Sequence, residues 1–133
     1  MTVLDEILGR NLDFYRIVNE RDVGAMMALW ARRLPVSCTH PGWDVLSDRD
    51  GVLDSWRAIL GGQAAPSILC FDERASLYGE VFAVVTCEEQ LGDIALAATN
   101  AFALEDGVWR MVGHHASPIH VRRQELGRTA GHA

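Results

Sequence analysis

The sequence predicts an α+β domain, N-terminal helices packed on a curved antiparallel sheet. Three observations predict it. Apolar residues recur at three- and four-residue steps through the first sixty positions. From Ser67 onward the chain breaks into strand-like runs separated by short turn signals such as Gly79-Glu80, Gly92-Asp93 and Asp106-Gly107. The helices are grouped ahead of the hairpin-linked strands, which separates α+β from alternating α/β.

The first helix is read from Leu4, Ile7, Leu8, Leu12, Tyr15 and Val18, with charged residues between them. Asn19 to Asp22 breaks the pattern, and Asp22 suits the N-cap of a short second helix carrying Met26, Leu29 and Trp30. Pro35 closes that region, and Val36 to His40 reads as a short strand before the Pro41-Gly42 turn. Ser47-Asp48-Arg49-Asp50 resembles a capping box for a third helix with Val52, Leu53, Trp56, Ile59 and Leu60 on one face, stopped by Gly61-Gly62. Four strands follow, over Ser67–Tyr78, Val81–Leu91, Ile94–Leu104 and Val108–Ser117. Residues 1–121 are read as one domain and 122–133 as a polar, flexible tail, with Arg122-Arg123 as a solvated end.

Composition narrows the function classes. The chain has 133 residues, 49% apolar and 23% charged, enough to bury a core without a metal or disulfide staple. A formal net charge of -6 argues against a nucleic-acid partner. Cys38, Cys70 and Cys87 are odd in number and match no disulfide framework or zinc spacing, so buried reduced thiols are expected. With no signal-peptide pattern and no ~20-residue apolar run, the expectation is a cytoplasmic protein without a membrane partner.

Strand alternation selects candidate site residues. Taking Phe82, Val84, Thr86 and Glu88 as one inward row, Ala98, Asn100, Phe102 and Leu104 as a second, and Trp109, Met111, Gly113, His115 and Ser117 as a third places Glu88, Asn100 and His115 on a pocket wall. His115 is the candidate acid–base residue, since an imidazole titrates near neutrality. Glu88 would orient it or serve as the base, and Asn100 would bind a substrate carbonyl. Each has a plainer alternative: a histidine satisfied by backbone, a glutamate in solvent, an amide tying a strand to a loop. His114 falls on the opposite face, suited to an interface or the surface. His40 and Trp43 would form the rim, with Trp30, Trp56 and Phe102 also placed against substrate, although for Trp56, on an apolar helix face, the core reading outweighs the pocket one. No metal site is expected, because the histidines lack ligand spacing, and no cofactor motif is present. Val81, Ala83, Val85, Ala97, Ala101 and Ala103 would form a small apolar outer face, suited to homodimerisation.

Several segments together carry a resemblance. Asp13-Phe14-Tyr15, Asn19-Glu20-Arg21-Asp22, Ala28-Leu29-Trp30, His40-Pro41-Gly42-Trp43, Ser55-Trp56-Arg57, Ala98 to Phe102, and Gly107 to Met111 with His114-His115-Ala116-Ser117-Pro118 resemble a SnoaL-like protein of the nuclear transport factor 2-like, ketosteroid isomerase-like superfamily. The resemblance covers roughly Leu4 to Pro118. It implies a cone-shaped, cystatin-like fold, a deep pocket between helices and sheet, and a homodimer packed sheet to sheet. The superfamily includes isomerases, polyketide cyclases, an epoxide hydrolase, a dehydratase and a kinase association domain, so fold alone does not assign an activity. The aspartate base of the isomerase and cyclases has no clear counterpart: Cys38 and Thr39 stand in the strand before Pro41, and His115 in the last strand. Two readings follow. One is cofactor-independent proton transfer (isomerase, cyclase, lyase or hydrolase-like) on a small hydrophobic carbonyl or hydroxyl compound. The other is a non-catalytic ligand-binding or homo-oligomeric association domain.

Overall fold

A computed structural model describes residues 1–62 and 67–123. Three helices, α1 (Val3–Glu20), α2 (Val23–Leu29) and α3 (Arg49–Gly61), pack on a five-stranded sheet of β1 (Ser37–Thr39), β2 (Ile68–Tyr78), β3 (Phe82–Leu91), β4 (Ile94–Glu105) and β5 (Val108–Pro118). The strand order is β1-β5-β4-β3-β2. The long strands pair antiparallel, and β1 adds in parallel to β5, with Cys38 opposite His114.

Local chemistry sets the helix ends. Thr2 and Asp5 form a reciprocal capping box at the start of α1. Asp22 caps α2 by accepting from the Ala25 amide at 3.0 Å, as its position predicts. The α3 cap is Asp48, accepting from the Gly51 amide at 2.9 Å, where the sequence pattern suggested Ser47. A carboxylate one residue later does the same work. Arg49 then donates to the carbonyls of Ala31 and Met27 at 2.9 and 3.0 Å, tying α3 to the end of α2. Glu105 accepts the amides of Arg32, Arg33 and Leu34, which fixes the segment leading into β1.

The core lies between α1–α3 and the inner sheet face, centred on Phe14, Met26, Trp30, Val85, Phe102 and Met111. Two strand rows depart from the alternation expected. In β3 the inward residues are Ala83, Val85, Cys87 and Glu89, while Phe82 packs its ring 6.0 Å from Tyr78 across the hairpin. The inner face of β3 thus begins with the fully buried Ala83 and Val85 and ends with the buried Glu89. In β5 the register slips by one residue: Ala101 pairs with Gly113, but Phe102 pairs with Met111. Val112 is therefore the extra residue of a bulge, and every side chain after it changes face. Trp109 and Met111 point inward as expected, but so do His114 and Ala116, and His115 and Ser117 are exposed.

The expected outer face changes accordingly. Ala83 and Val85 are core, Ala103 is also buried, Val81 lies in the turn, and Ala97 and Ala101 remain on the outside. Arg122, expected as a solvated end, holds Glu88 through two contacts of 2.6 and 2.9 Å. The remainder of the expected tail, 124–133, lies outside the described residues. No helix among the described residues is long and apolar enough to cross a membrane.

Candidate functional site

The open end of the helix–sheet sandwich holds a cavity of about 380 Å³, within the range of small-molecule sites. Val18 from α1, Ile59 and Leu60 from α3, Ile68, Leu91 and Leu96 from the sheet make its apolar walls. Trp43 and Trp56 flank it, Asn19 and Arg21 stand at its rim, and His40, Glu89 and His114 supply its polar end.

Those polar groups belong to one buried network. The Tyr15 hydroxyl donates to Glu89 Oε2 at 2.5 Å, in the range of a charge-assisted bond to an ionised carboxylate. A phenol has one proton, so Tyr15 Oη must accept from Asn100 Nδ2, 3.0 Å away. The same amide nitrogen donates to Asn11 Oδ1 at 2.9 Å, leaving Asn100 Oδ1 as an acceptor. His114 Nδ1 lies 2.6 Å from that oxygen and must donate to it. All the donors from His114 through Asn100 and Tyr15 therefore point toward Glu89. The tautomer follows from this network: His114 carries its proton on Nδ1 and presents a bare Nε2.

His40 is fixed by the same accounting. Ser55 Oγ donates to the Val52 carbonyl at 2.6 Å, which uses its only proton. His40 Nε2, 2.8 Å from Ser55 Oγ, must then donate, leaving Nδ1 as the lone-pair nitrogen. The ring sits edge-on to Trp43 and Trp56, with centroids 4.8 Å from each.

Electrostatics follow from burial. Desolvation lowers the pKa of His40 to about 4. Desolvation, then the neighbouring His40 and His115, lower that of His114 to about 3. Both imidazoles are neutral at physiological pH. Desolvation raises the Glu89 carboxyl above its ordinary value, and the Tyr15 bond opposes that rise. Burial and the Glu89 charge push Tyr15 far upward, so it stays a phenol. Burial raises Cys38 to about 12, which leaves a thiol and no thiolate nucleophile.

The sequence-selected residues divide cleanly. Asn100 is fully buried at the centre of the network, and His40, Trp43 and Trp56 line the cavity. Trp30 and Phe102 are fully buried core residues that do not line it. Trp30 instead bridges to Met111 beneath the helices. His115 and Glu88 are on the other side of the sheet, for the bulge and hairpin reasons given above, and their neighbours His114 and Glu89 occupy the pocket positions. Sequence reading missed Asn11, Tyr15 and Ser55 as site components. Asn11 and Tyr15 are one helical turn apart on the buried face of α1, and a buried Asn at such a position is itself a signal of a polar network. Among the described residues, no cluster of three or more His, Cys, Asp or Glu could hold a metal ion.

Comparison with known proteins identifies the family. Residues 7–121 match the model of the SnoaL-like domain. A solved structure of a candidate dehydratase of the NTF2-like family from Streptomyces avermitilis is 32% identical, covers 89% of this chain and 96% of its own, and superposes with a TM-score of 0.78. A candidate calcium/calmodulin-dependent protein kinase type II association domain from Thiobacillus denitrificans is 31% identical, over 84% of this chain and 93% of its own, with a TM-score of 0.65. A cystatin-like fold protein from Burkholderia xenovorans shares the fold at 18% identity over 90% of this chain and 93% of its own, with a TM-score of 0.75. Among curated proteins, F-box protein SKIP8 of Arabidopsis thaliana is 26% identical over 122 residues, and the match spans 90% of this chain and about half (52%) of that relative. The chain belongs to the SnoaL-like domain family, with the helix-then-sheet architecture of its NTF2-like and cystatin-like neighbours.

Proposed function

We propose that the cavity is the active site of a cofactor-independent proton-transfer enzyme of the isomerase or lyase type, acting on a small hydrophobic carbonyl or hydroxyl compound. The observation that carries this reading is Glu89: a carboxylate only 2% exposed, held through one oxygen by Tyr15, lining a cavity with largely apolar walls. Burial that raises a carboxyl pKa brings it toward the range where a general base both ionises and accepts a proton well. Glu89 takes a proton from the carbon beside a substrate carbonyl whose oxygen is directed away from the acceptors at the polar end, toward the rim that Asn19 and Arg21 form. It returns that proton to a neighbouring carbon in isomerisation, or to a departing hydroxyl that leaves as water in dehydration. His114 and Asn100 keep the network in register, and Trp43, Trp56 and the aliphatic walls hold the hydrocarbon part. The similarity to the Streptomyces avermitilis candidate dehydratase supports the lyase branch.

The test is hydrogen–deuterium exchange at the carbon next to the carbonyl of 2-tetralone, followed by NMR in D₂O. Wild-type protein is expected to accelerate exchange, and Glu89→Gln to lose that acceleration by on the order of 100-fold or more. A wild-type rate equal to buffer, or one that survives Glu89→Gln, refutes the catalytic reading.

A second reading has its own support. The similarity to the Thiobacillus denitrificans association domain, with Tyr78, Phe82 and Ala97 exposed on the sheet face away from the helices, favours homodimerisation through that face. Light scattering of wild type and Phe82→Glu distinguishes it: the substitution should convert a dimer to a monomer, and a wild-type monomer rules the interface out. In this reading the pocket binds its ligand without turnover.

A further inference from the structure

We infer that the polar end of the pocket recognises a ligand hydroxyl rather than a carbonyl oxygen, because the groups it presents are hydrogen-bond acceptors. The inference rests on the pocket being the functional site and adds the chemistry of the group it holds.

Two independent networks set the two imidazoles. The short Tyr15–Glu89 bond forces Tyr15 to donate, which turns Asn100 so that its amide nitrogen meets Tyr15 and its oxygen meets His114. His114 is left with a bare Nε2. The Ser55–Val52 bond forces Ser55 to accept from His40, which leaves a bare Nδ1. Glu89 has one oxygen in the network, and its other oxygen is a further acceptor. None of these three acceptor atoms has a hydrogen-bond partner among the described residues, and all three residues line the cavity.

Donors beside the polar end are turned elsewhere. The Asn19 side chain spans the amide and carbonyl of Ile68 at 2.8 and 2.9 Å. Arg21 donates to the Gly62 carbonyl at the rim. The Trp56 indole N–H is shielded from the cavity and lies toward the Cys38 thiol. A carbonyl oxygen entering this end would meet lone pairs and lose its hydration without replacement. A phenol, enol or alcohol would supply the missing proton. Neutral imidazoles also leave the hydroxyl as the better match, since they offer no charge to attract an anion.

Two measurements on the wild-type protein test this. In long-range ¹H–¹⁵N correlation spectra at pH 7, His114, assigned by the signal lost in His114→Asn, should show the Nδ1–H tautomer. An Nε2–H tautomer overturns the inference whatever binds. In calorimetric titrations, 2-naphthol should bind at least about tenfold more tightly than 2-methoxynaphthalene or 2-acetonaphthone, the span expected of one well-formed buried hydrogen bond. The methoxy compound is the more hydrophobic of the first pair, so apolar burial alone predicts the reverse order. Equal affinity for all three, or tighter binding of the ketone, overturns the hydroxyl preference and leaves the pocket reading standing. Failure of all three to bind overturns the pocket reading itself.

Discussion

Acid should destabilise this protein through its two pocket histidines, by an amount that can be worked out. An ordinary histidine titrates near 6.5, whereas His40 and His114 in the fold titrate at about 4 and about 3. Below pH 6.5 the unfolded chain therefore binds protons that the folded chain refuses, so stability falls as pH falls until the folded values are reached. Between pH 6 and pH 5 this linkage amounts to about 1.2 kcal/mol for each residue, or about 2.4 kcal/mol for the pair. His114→Asn keeps a side-chain N–H where Nδ1 donates to Asn100, but cannot titrate. His40→Gln does the same for the Nε2 contact with Ser55. Guanidinium unfolding followed by tryptophan fluorescence at pH 5, 6 and 7 measures the slope. Each variant should lose less stability from pH 6 to pH 5 than wild type, by about 1.2 kcal/mol. Any constant cost of the substitution cancels in that difference. If His114→Asn shows the wild-type slope, His114 takes up its proton in the folded state and the neutral-imidazole account of the pocket is wrong.

Three further outcomes follow from the same contacts. Tyr15→Phe removes the donor to Glu89 and should cost about 1.5–3 kcal/mol in denaturant unfolding; an unchanged midpoint would show that the bond contributes nothing. Glu105 is held below the ordinary carboxyl value, to about 2, by the amides of Arg32, Arg33 and Leu34. Its contribution is therefore full above about 4.5 and lost as pH falls through about 2. Glu105→Gln should lower the melting temperature at pH 7, with the gap to wild type closing near pH 2; a gap independent of pH contradicts this. Phe102→Ala should cost about 3–5 kcal/mol as a core cavity, whereas His115→Ala, on the exposed face, should stay within about 0.5 kcal/mol and leave 2-naphthol affinity unchanged. A loss of affinity in His115→Ala would return that residue to the pocket.

The fold was legible because its signals are local. Asp22 sits where an N-cap must, and Asp106-Gly107 joins β4 to β5 with both residues at positive φ. The site was legible in kind but displaced by one residue at two places. Asn100 lies on the inner face, as alternation predicts, because β4 keeps its alternation through Phe102. Alternation carried straight through Val112 selects His115 over His114, but a bulge there flips everything beyond it. One sequence signal marks that bulge: the isolated Gly113 next to it. A Cβ there would stand 3.3 Å from Ala101 Cβ on the paired strand, a tight contact that glycine avoids. Taking bulky Phe82 as inward selects Glu88 over Glu89, whereas the structure turns Ala83, Val85, Cys87 and Glu89 inward. Tyr15 was read as one more apolar helix residue, and its hydroxyl finds partners on β3 and β4 that are 74 and 85 positions away. Pairings of that range leave no periodic trace.

In the proposed function, Glu89 is a buried carboxylate that exchanges protons within the pocket. Titration of its side-chain carboxyl by ¹³C NMR, assigned with Glu89→Gln, tests this most directly. The account predicts a pKa above the ordinary value of 4.5, rising further in Tyr15→Phe as the opposing hydrogen bond is lost. A value at or below 4.5, unmoved by Tyr15→Phe, would contradict it.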